Sequence, residues 1–592
     1  MKVTRAQIKN YRNLRNVDVR LDNLVALVGE NNSGKSNFLR AIALPFMSDD
    51  GGGGKNLSWF DINNEAKRDY YAFIEQNRED FLDGTMDADT LRPYIPAVSV
   101  TVDLQGEDTE GYDLKDLLVN DGGEFVARMR YRWYVGDAQK LVELISALLS
   151  GDPAVQDIKM SLLPMRLYKH EIVVPDAADG SRIAYEVLAR FRHASLPAER
   201  DSFAASADRT GSRALVGLLQ NKLDADGEKR IEQGYGEFLA TIHDAAKLDE
   251  IINWQEHSSV PNAKDFFKAI NLLPNMPPMS SILNSIRLGY GNESLSLQGL
   301  GHRNLILMAV MLNAYLCADD EISLRIVSVE EPESHLCLNN VLLMASLFKS
   351  FGSSDSRTQV IYSTHDAEFV NKVGLRRVVV LHGGDACSLK DELTSEELDY
   401  LANNPNTDIF KLFFSHRLIL VEGVTEELLI KAYLQTRSDF DDIKVLSFHK
   451  GYKRIIKIWK KINAGNGNKL AVVRDFDNQP KAQAEHEALA DDQVCIKTTK
   501  GYTLETDIVE TGANHRLLVN AYGATFNWNG MSEEELQQDW RDNRKTEVML
   551  KVCHGLVDGS LPGFTLPKHI QEALDFLREP LDPPEEAPEE AR

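Results

Sequence analysis

Gly29-Glu30-Asn31-Asn32-Ser33-Gly34-Lys35-Ser36 follows the apolar run Leu24 to Val28 and leads into a helical pattern from Lys35 to about Phe46. Strand, loop and helix in that order form the context a P-loop requires. Glycines at 29 and 34 let the backbone fold around phosphates with its N–H groups inward, with Asn32 in the same turn. Lys35 supplies positive charge to the terminal phosphates, and the Ser36 hydroxyl suits a magnesium ion. Upstream, Val3 to Asn10 and Val17 to Leu21 read as strands, and downstream so do Val98 to Leu104 and Phe125 to Val135. Strand character returns at Ile282 to Leu288, Leu324 to Val329, Val360 to Ser363 and Val378 to Leu381, each followed by a loop and most by helical pattern. Such alternation predicts an α/β fold with a mainly parallel, covered sheet.

Further along, Ile326-Val327-Ser328-Val329-Glu330-Glu331 is an apolar strand ending in two acids, the form of a Walker B element. Glu330 would hold magnesium, and Glu331 would orient or deprotonate the attacking water. The following Pro332-Glu333-Ser334-His335-Leu336 resembles the D-loop region of ABC-type ATPase heads. His365, in Tyr362-Ser363-Thr364-His365-Asp366, resembles their switch histidine. Ser296-Leu297-Gln298-Gly299-Leu300-Gly301-His302 precedes a helical run and resembles a divergent ABC signature. Gly299, Gly301 and the helix N-terminus would then meet the γ-phosphate held by a second protomer, with ATP sandwiched in a dimer. The run departs from Leu-Ser-Gly-Gly-Gln, and position 330 is Glu rather than Asp.

A second alternation starts at Arg417-Leu418-Ile419-Leu420-Val421, continues through a helix from Thr425 to Thr436 and a strand from Ile443 to Phe448, and reaches a strand from Leu470 to Val473. It marks a separate small α/β domain. Acids sit at its strand ends: Glu422, with Glu426 one helical turn on, then Asp475 and Asp477. Carboxylates so spaced can share a divalent ion, and their oxygens suit magnesium or manganese. Glu505 would complete a second metal site, with Asp507 a weaker candidate. Two such metals would activate a water and stabilise the leaving oxygen of a phosphodiester.

Composition bounds these readings. The 592 residues are 43% hydrophobic, enough for several packed cores. No apolar run is long enough for a membrane span, and Leu305 to Ala318 reads as a buried helix. Nothing at the N-terminus resembles a signal peptide, so a cytoplasmic protein with no membrane partner is expected. The five cysteines form no Cys-x-x-Cys pair, against a disulfide framework or a zinc site. A net charge of −24 suits no nonspecific nucleic-acid coat, so any contact with nucleic acid must be local. Two basic features exist: Arg128, Arg130 and Arg132 along a strand, and Lys453, Arg454, Lys457, Lys460 and Lys461 on one helix face. Each also fits a solvated face over a core. Residues Ser212 to Gln255 turn helical and highly charged, an insertion suited to self-association. The last stretch, from Pro580 to Arg592, is acidic and proline-rich and reads as a disordered tail.

The division is therefore an N-terminal part of an ABC-type head (1–204), a helical insertion or dimerisation arm (205–275), the C-terminal part of the head (276–405), the small α/β domain (406–579) and the tail (580–592). Val421-Glu422-Gly423 with Asp475-Phe476-Asp477 resembles a Toprim domain. An SMC-like or RecF-like head joined to it, with Leu196-Pro197-Ala198-Glu199-Arg200-Asp201, Glu330-Glu331-Pro332-Glu333 and Val421-Glu422-Gly423-Val424-Thr425-Glu426-Glu427, is similar to the OLD (overcoming lysogenization defect) family. That resemblance spans nearly the whole chain. It implies an ATPase-coupled, metal-dependent DNA nuclease, and the family's relatives include the nuclease subunit of the Gabija anti-phage system, which acts beside a UvrD-like helicase. It carries metal ligation to Glu422, Glu426, Asp475, Asp477 and Glu505, and the catalytic lysine to Lys545, with Lys551 nearby.

ATP and Mg²⁺ or Mn²⁺ are thus the expected cofactors, and double-stranded DNA and a further copy of the chain the expected partners. A topoisomerase would need a tyrosine nucleophile, and none of the 18 tyrosines sits in a motif suited to it. A primase fits the acids but not the nucleotide-binding head. From another class, the alternative is a DNA-repair or chromosome-handling ATPase that clamps DNA, its acids binding metal structurally.

Overall fold

A computed structural model describes residues 1–49, 55–106, 111–151, 153–175, 180–198, 214–246, 277–283, 286, 288–316, 321–351, 357–404, 407–437, 442–448 and 451–579. The end of the Leu-Pro-Ala-Glu-Arg-Asp motif, most of the helical insertion and the acidic tail lie outside these residues. Of the insertion, a 22-residue helix, Ala225–Ala246, is described.

The P-loop strand, Leu24–Val28, is buried at every residue, as a parallel strand covered on both faces must be. Its sheet runs Asp385–Ser388, Val378–His382, Leu24–Val28, Thr358–Ser363, Leu324–Glu330, Phe191–Leu196 and Met47–Ser48. All neighbours are parallel except the first pair. The strand ending before His365 thus lies between the P-loop strand and the Walker B strand. Phosphate loop, switch and acids consequently emerge side by side at the carboxyl edge of the sheet, where ligands of open α/β sheets bind.

Packed against this sheet is a second, antiparallel one, ordered Leu14–Arg20, Lys2–Tyr11, Val98–Gln105, Glu124–Val135, Tyr168–Val174 and Ser181–Arg182, with Leu118–Asp121 on the side of Glu124–Val135. Alternation along Glu124–Val135 buries Ala127, Met129, Tyr131 and Trp133. On its other face Arg128 pairs with Asp103 at 2.5 Å and Asp121 at 2.8 Å, Arg130 donates to Thr101 Oγ1 at 3.0 Å, and Arg132 pairs with Glu171. This arginine row is a neutralised sheet face, not an open basic stripe.

The C-terminal sheet is parallel: Ile443–Ser447, Arg417–Val421, Lys469–Arg474, Val494–Thr498. Period-two alternation divides its side chains between two cores. Ile419, Val421, Ala471 and Val473 pack with the helices of the chain's last 80 or so residues. Leu418, Leu420, Leu470 and Val472 instead join a core that contains Leu24, Ala26, Val28, Val327, Val329 and Val360 of the head, together with Trp459 and Leu412. The two α/β units are therefore fused through one apolar layer. The basic helix Tyr452–Ile462 lies in that layer, burying Ile455, Ile456, Ile458, Trp459 and Ile462. Its cations reach acids nearby: Lys453 to Glu485, Arg454 to Glu396, Lys460 to Asp491 and Lys461 to Glu397.

Three expectations need correcting. The stretch from Ile282, read as a strand, begins inside a short helix, Met279–Leu283, because Pro277 and Pro278 start that helix and the Pro278 carbonyl accepts from Ser281 N–H at 2.8 Å. The P-loop helix stops at Ile42 rather than Phe46, since Pro45 disfavours helix at the residue before it. The helix Leu300–Leu316, expected to be buried, hides only one stripe, Asn304, Met308, Met311 and Leu312.

Candidate functional site

At the nucleotide end, Gly29 and Gly34 have φ of 149° and 111°, which L side chains rarely adopt. A Cβ on Gly29 would sit 2.3 Å from the Leu381 carbonyl oxygen. The helix Lys35–Ile42 has no side-chain N-cap, leaving its first-turn N–H groups for an anion. Lys35 is buried, and its ammonium donates to the carbonyls of Gly29 at 2.8 Å and Glu30 at 2.7 Å. Burial depresses its pKa to about 8, against the opposing pull of Glu331, Glu30 and Glu333. Ser33 Oγ is buried with no hydrogen-bond partner. Asn32 is exposed on the loop and Ser36 in the first turn of the helix. A glycine-lined cradle, an uncapped helix and a lysine held over the loop fit a nucleoside triphosphate.

Glu331 faces this cradle with a strained backbone, φ 43°, its N–H donating to the Ser363 carbonyl at 3.1 Å. His365 Nε2 lies 3.7 Å from Glu331 Oε1. Burial lowers the His365 pKa, and nearby Lys35 pushes the same way. Glu333 ties the switch down: one carboxylate oxygen accepts from Thr364 Oγ1 at 2.7 Å and from His365 N–H at 2.8 Å. Glu330 ends the Walker B strand beside it. Gly299 and Leu297 are exposed ahead of the helix Leu300–Leu316, and a Cβ on Gly301 would come within 2.7 Å of the His335 carbonyl oxygen. The signature-like turn thus rests directly on the loop after the Walker B acids.

At the second centre, each acid leaves the carboxyl end of a parallel strand or the first turn of a helix. Glu422 follows Arg417–Val421, and its Oε2 accepts from Asp475 N–H at 3.2 Å. A Cβ on Gly423 would lie 2.9 Å from Glu426 Oε2, so a larger residue there would push on that carboxylate. Glu426 is buried in the helix Val424–Gln435, and Glu505 is 0% exposed in the helix Leu504–Glu510. Asp477 and Asn478 both have left-handed φ, 50° and 54°, bending the chain back after Asp475. Lys545 begins the helix Lys545–Val557, and its Nζ approaches Glu505 Oε1 to 3.2 Å.

Positive charge is scarce here. Burial, then Glu426 and Glu505, push the Asp475 carboxyl up to about 8 despite Lys545. Burial likewise raises Glu422. For Lys545, burial lowers the pKa, but Glu505 and Glu426 outweigh it and the net direction is up. Asp475 Oδ1 and both Glu505 oxygens are buried without a well-aligned hydrogen bond. Oxygens of that kind, all from carboxylates, fit a hard divalent cation. Even so, among the described residues no three His, Cys, Asp or Glu side chains already close into a metal cage. Mutually repelling carboxylates drawn near one another, but short of coordination distance, are what the electrostatics dictate.

Other sequence candidates part ways here. Asp507 turns inward, accepting from Lys500 and Gly501 N–H at 2.8 and 2.6 Å and pairing with His569 at 3.0 Å. It braces a turn rather than joining the acids. Lys551 is exposed on the helix that Lys545 begins, whereas Lys545 reaches Glu505. Two residues beside the acids were not anticipated. Tyr452 is buried with an unpartnered hydroxyl whose pKa is raised by burial and by Glu422, Glu426 and Asp475. Arg474 is buried too, donating to the Asp475 carbonyl at 3.1 Å and meeting His486 Nδ1 at 2.7 Å. The buried cation immediately ahead of Asp475 was a signal available in the sequence.

Comparison with known proteins finds two domain families in the chain. An AAA ATPase domain family matches residues 1–84 and 203–370, and the Toprim domain of the overcoming lysogenization defect protein-like family matches residues 413–477. The second match contains Glu422, Glu426, Asp475 and Asp477. The chain thus carries an AAA-type ATPase domain and an OLD-like Toprim domain. Endonuclease GajA of Bacillus cereus (strain HuB5-5) is 26% identical over 280 residues, a match spanning 40% of this chain and 40% of that protein. Among solved structures, the SMC head domain from Thermotoga maritima is 11% identical, covering 66% of this chain and 99% of that one, with a TM-score of 0.28. An Smc head domain derived from Pyrococcus furiosus is 13% identical, covering 66% and 97%, with a TM-score of 0.27. At such scores these two likenesses carry no argument, and the head is read from its own strand order. Among the described residues no helix is long and apolar enough to cross a membrane.

Proposed function

We propose that this protein is an ATP-regulated, divalent-metal-dependent endonuclease that cuts double-stranded DNA in defence against phage. The observation that carries the reading is the gathering of Glu422, Glu426, Asp475 and Glu505 with Lys545 at the carboxyl edge of a parallel sheet fused to a nucleotide-binding head. Similarity to a protein named as an endonuclease supports it. Glu422, Glu426, Asp475, Asp477 and Glu505 would hold Mg²⁺ or Mn²⁺, which when bound would supply an activated water and charge neutralisation at the scissile phosphate. Lys545 would stabilise charge developing on that phosphate.

In the head, Gly29, Asn32, Gly34, Lys35 and Ser36 would bind ATP, Glu330 its magnesium, Glu331 the attacking water, and His365 would sense the γ-phosphate. The exposed turn at Gly299 and Gly301 would complete the site of a second copy, making the active form a homodimer or larger homo-oligomer. A UvrD-like helicase is the further partner this reading suggests, with the cytoplasm as its place of action.

Incubating supercoiled plasmid with purified protein and Mg²⁺ or Mn²⁺ tests the reading. Nicked and linear products are expected, with Asp475→Ala inactive but folded. One rival is a DNA-repair or chromosome-handling ATPase that clamps DNA, its acids serving structure. Intact plasmid and phage DNA at every metal and ATP concentration would establish that rival.

A further inference from the structure

Glu30 serves both centres at once. Its carbonyl accepts from Lys35 Nζ at 2.7 Å, while its carboxylate accepts from His416 N–H at 2.5 Å. His416 is the residue before the strand Arg417–Val421, whose far end is Glu422. The His416 ring binds the Asn468 side chain, and the His416 carbonyl accepts from Lys469 N–H at 3.0 Å. Asn468 immediately precedes the strand Lys469–Arg474, whose far end is Asp475. Asn468 is buried and donates to Asn463 Oδ1 at 2.7 Å and His382 Nδ1 at 3.1 Å. His382 closes the circuit, since it comes directly after Leu381, whose carbonyl oxygen lies 2.3 Å from where a Cβ on Gly29 would be.

We infer that Glu30, His416 and Asn468 are positioning residues forming a joint through which nucleotide in the P-loop sets the register of the two strands that carry Glu422 and Asp475. The inference rests on the nuclease reading for its consequence, but not for its geometry. A nucleotide's terminal phosphates would compete for the Lys35 ammonium that the Gly29 and Glu30 carbonyls now share. Releasing those carbonyls moves the peptide that aims the Glu30 carboxylate, and the carboxylate holds the first N–H of the metal-bearing strand pair. Apart from Arg417 both strands are buried, and they are hydrogen-bonded to each other, so a shift at one end travels as a rigid displacement to the acids at the other. A flexible tether between the units would dissipate it; the shared apolar layer does not.

Hydrogen–deuterium exchange with and without a saturating non-hydrolysable ATP analogue tests the joint directly. In the wild type, exchange in residues 412–424 and 465–478 should change when the analogue binds. Glu30→Gln, which keeps an acceptor for His416 N–H, should retain the change; Glu30→Ala and Asn468→Ala should lose most of it, with analogue binding verified on each variant. Should Glu30→Ala fail to fold, Asn468→Ala carries the test. In plasmid cleavage, the ratio of rates with and without ATP should fall to about 1 in Glu30→Ala while the wild-type ratio departs from it. An unchanged exchange pattern in wild type, or a full response in both alanine variants, overturns the joint. Wild type that cuts no DNA overturns the nuclease reading alone, and the exchange experiment still decides the joint.

Discussion

Lys545 Nζ and Glu505 Oε1 stand 3.2 Å apart, the carboxylate fully buried and the lysine side chain 40% exposed. On the proposed function, the exposed partner is the one that would meet a DNA backbone. Its departure toward a phosphate would leave Glu505 to a metal ion, so one ion pair can serve as the resting form of two separate ligand contacts. Arg544 holds the helix start in place by donating to the Phe526 carbonyl at 3.1 Å, and Trp540 Nε1 donates to the Lys545 carbonyl at 3.2 Å.

Removing the ammonium therefore separates the two lysines. Lys545→Ala is expected to slow plasmid nicking by about 10²- to 10³-fold, the usual cost of losing one electrostatic donor at a reacting group. Lys551→Ala, at an exposed position, is expected to leave the rate near that of wild type. Equal losses in both would remove Lys545 from the proposed site.

Asp475 supplies a stability test. A carboxyl raised in the folded state from 3.8 to about 8 disfavours folding increasingly as pH climbs from about 4 to 8, where the unfolded chain is ionised and the folded one resists ionisation. In chelator at pH 7, Asp475→Asn should stabilise the protein, by at most about 4 kcal/mol. Divalent metal should stabilise the wild type and not the variant. Thermal unfolding with EDTA or Mn²⁺ measures both effects, and a destabilised Asn variant would contradict a site crowded with carboxylates and short of positive charge.

Acid should loosen the head through two histidines. Burial lowers both His193, whose Nε2 meets Ser328 Oγ at 2.9 Å, and His382 to about 4. Between pH 6.5 and 4 the unfolded chain takes up protons that the folded one refuses, so stability falls as pH drops through that window. The loss at pH 5 is about 2 kcal/mol for each group. Denaturant melts at pH 7.5 and 5 should give a smaller pH difference for His193→Gln than for wild type.

Nucleotide affinity should weaken in base. Terminal phosphates would raise the Lys35 pKa above its nucleotide-free value of about 8, so binding takes up a proton at higher pH. Affinity for a fluorescent ATP analogue is expected to be flat near pH 7 and to decline from about pH 8 toward a tenfold loss per pH unit. Lys35→Ala should bind weakly throughout, and an affinity that rises with pH would argue against Lys35 as the phosphate contact.

Much of this was legible in the sequence because it depends on local order. Apolar runs ending in acids, such as Ile326 to Glu331 and Leu418 to Glu422, announce buried parallel strands, and a parallel sheet delivers the residues at its strands' carboxyl ends to one edge. The fate of individual side chains was less accessible. Whether Arg128 is an open cation depends on Asp103 and Asp121, which only strand pairing brings to it. Asp507 and Glu505 share one short helix, yet one braces a turn while the other meets Lys545, a difference of helical phase that spacing alone does not reveal. Tyr452 gave no signal, since a tyrosine at the start of an amphipathic helix most often serves packing. Glu30 had no role of its own in the P-loop motif, and its contact with His416 spans 386 residues of chain.

Leu418, Leu420, Leu470 and Val472 share a core with Val28 and Val329. Cutting the chain ahead of residue 417 would bare an oily surface on each fragment, so neither half is a module that can be borrowed alone. Exchanging one unit for another would require a replacement that presents a matching apolar face.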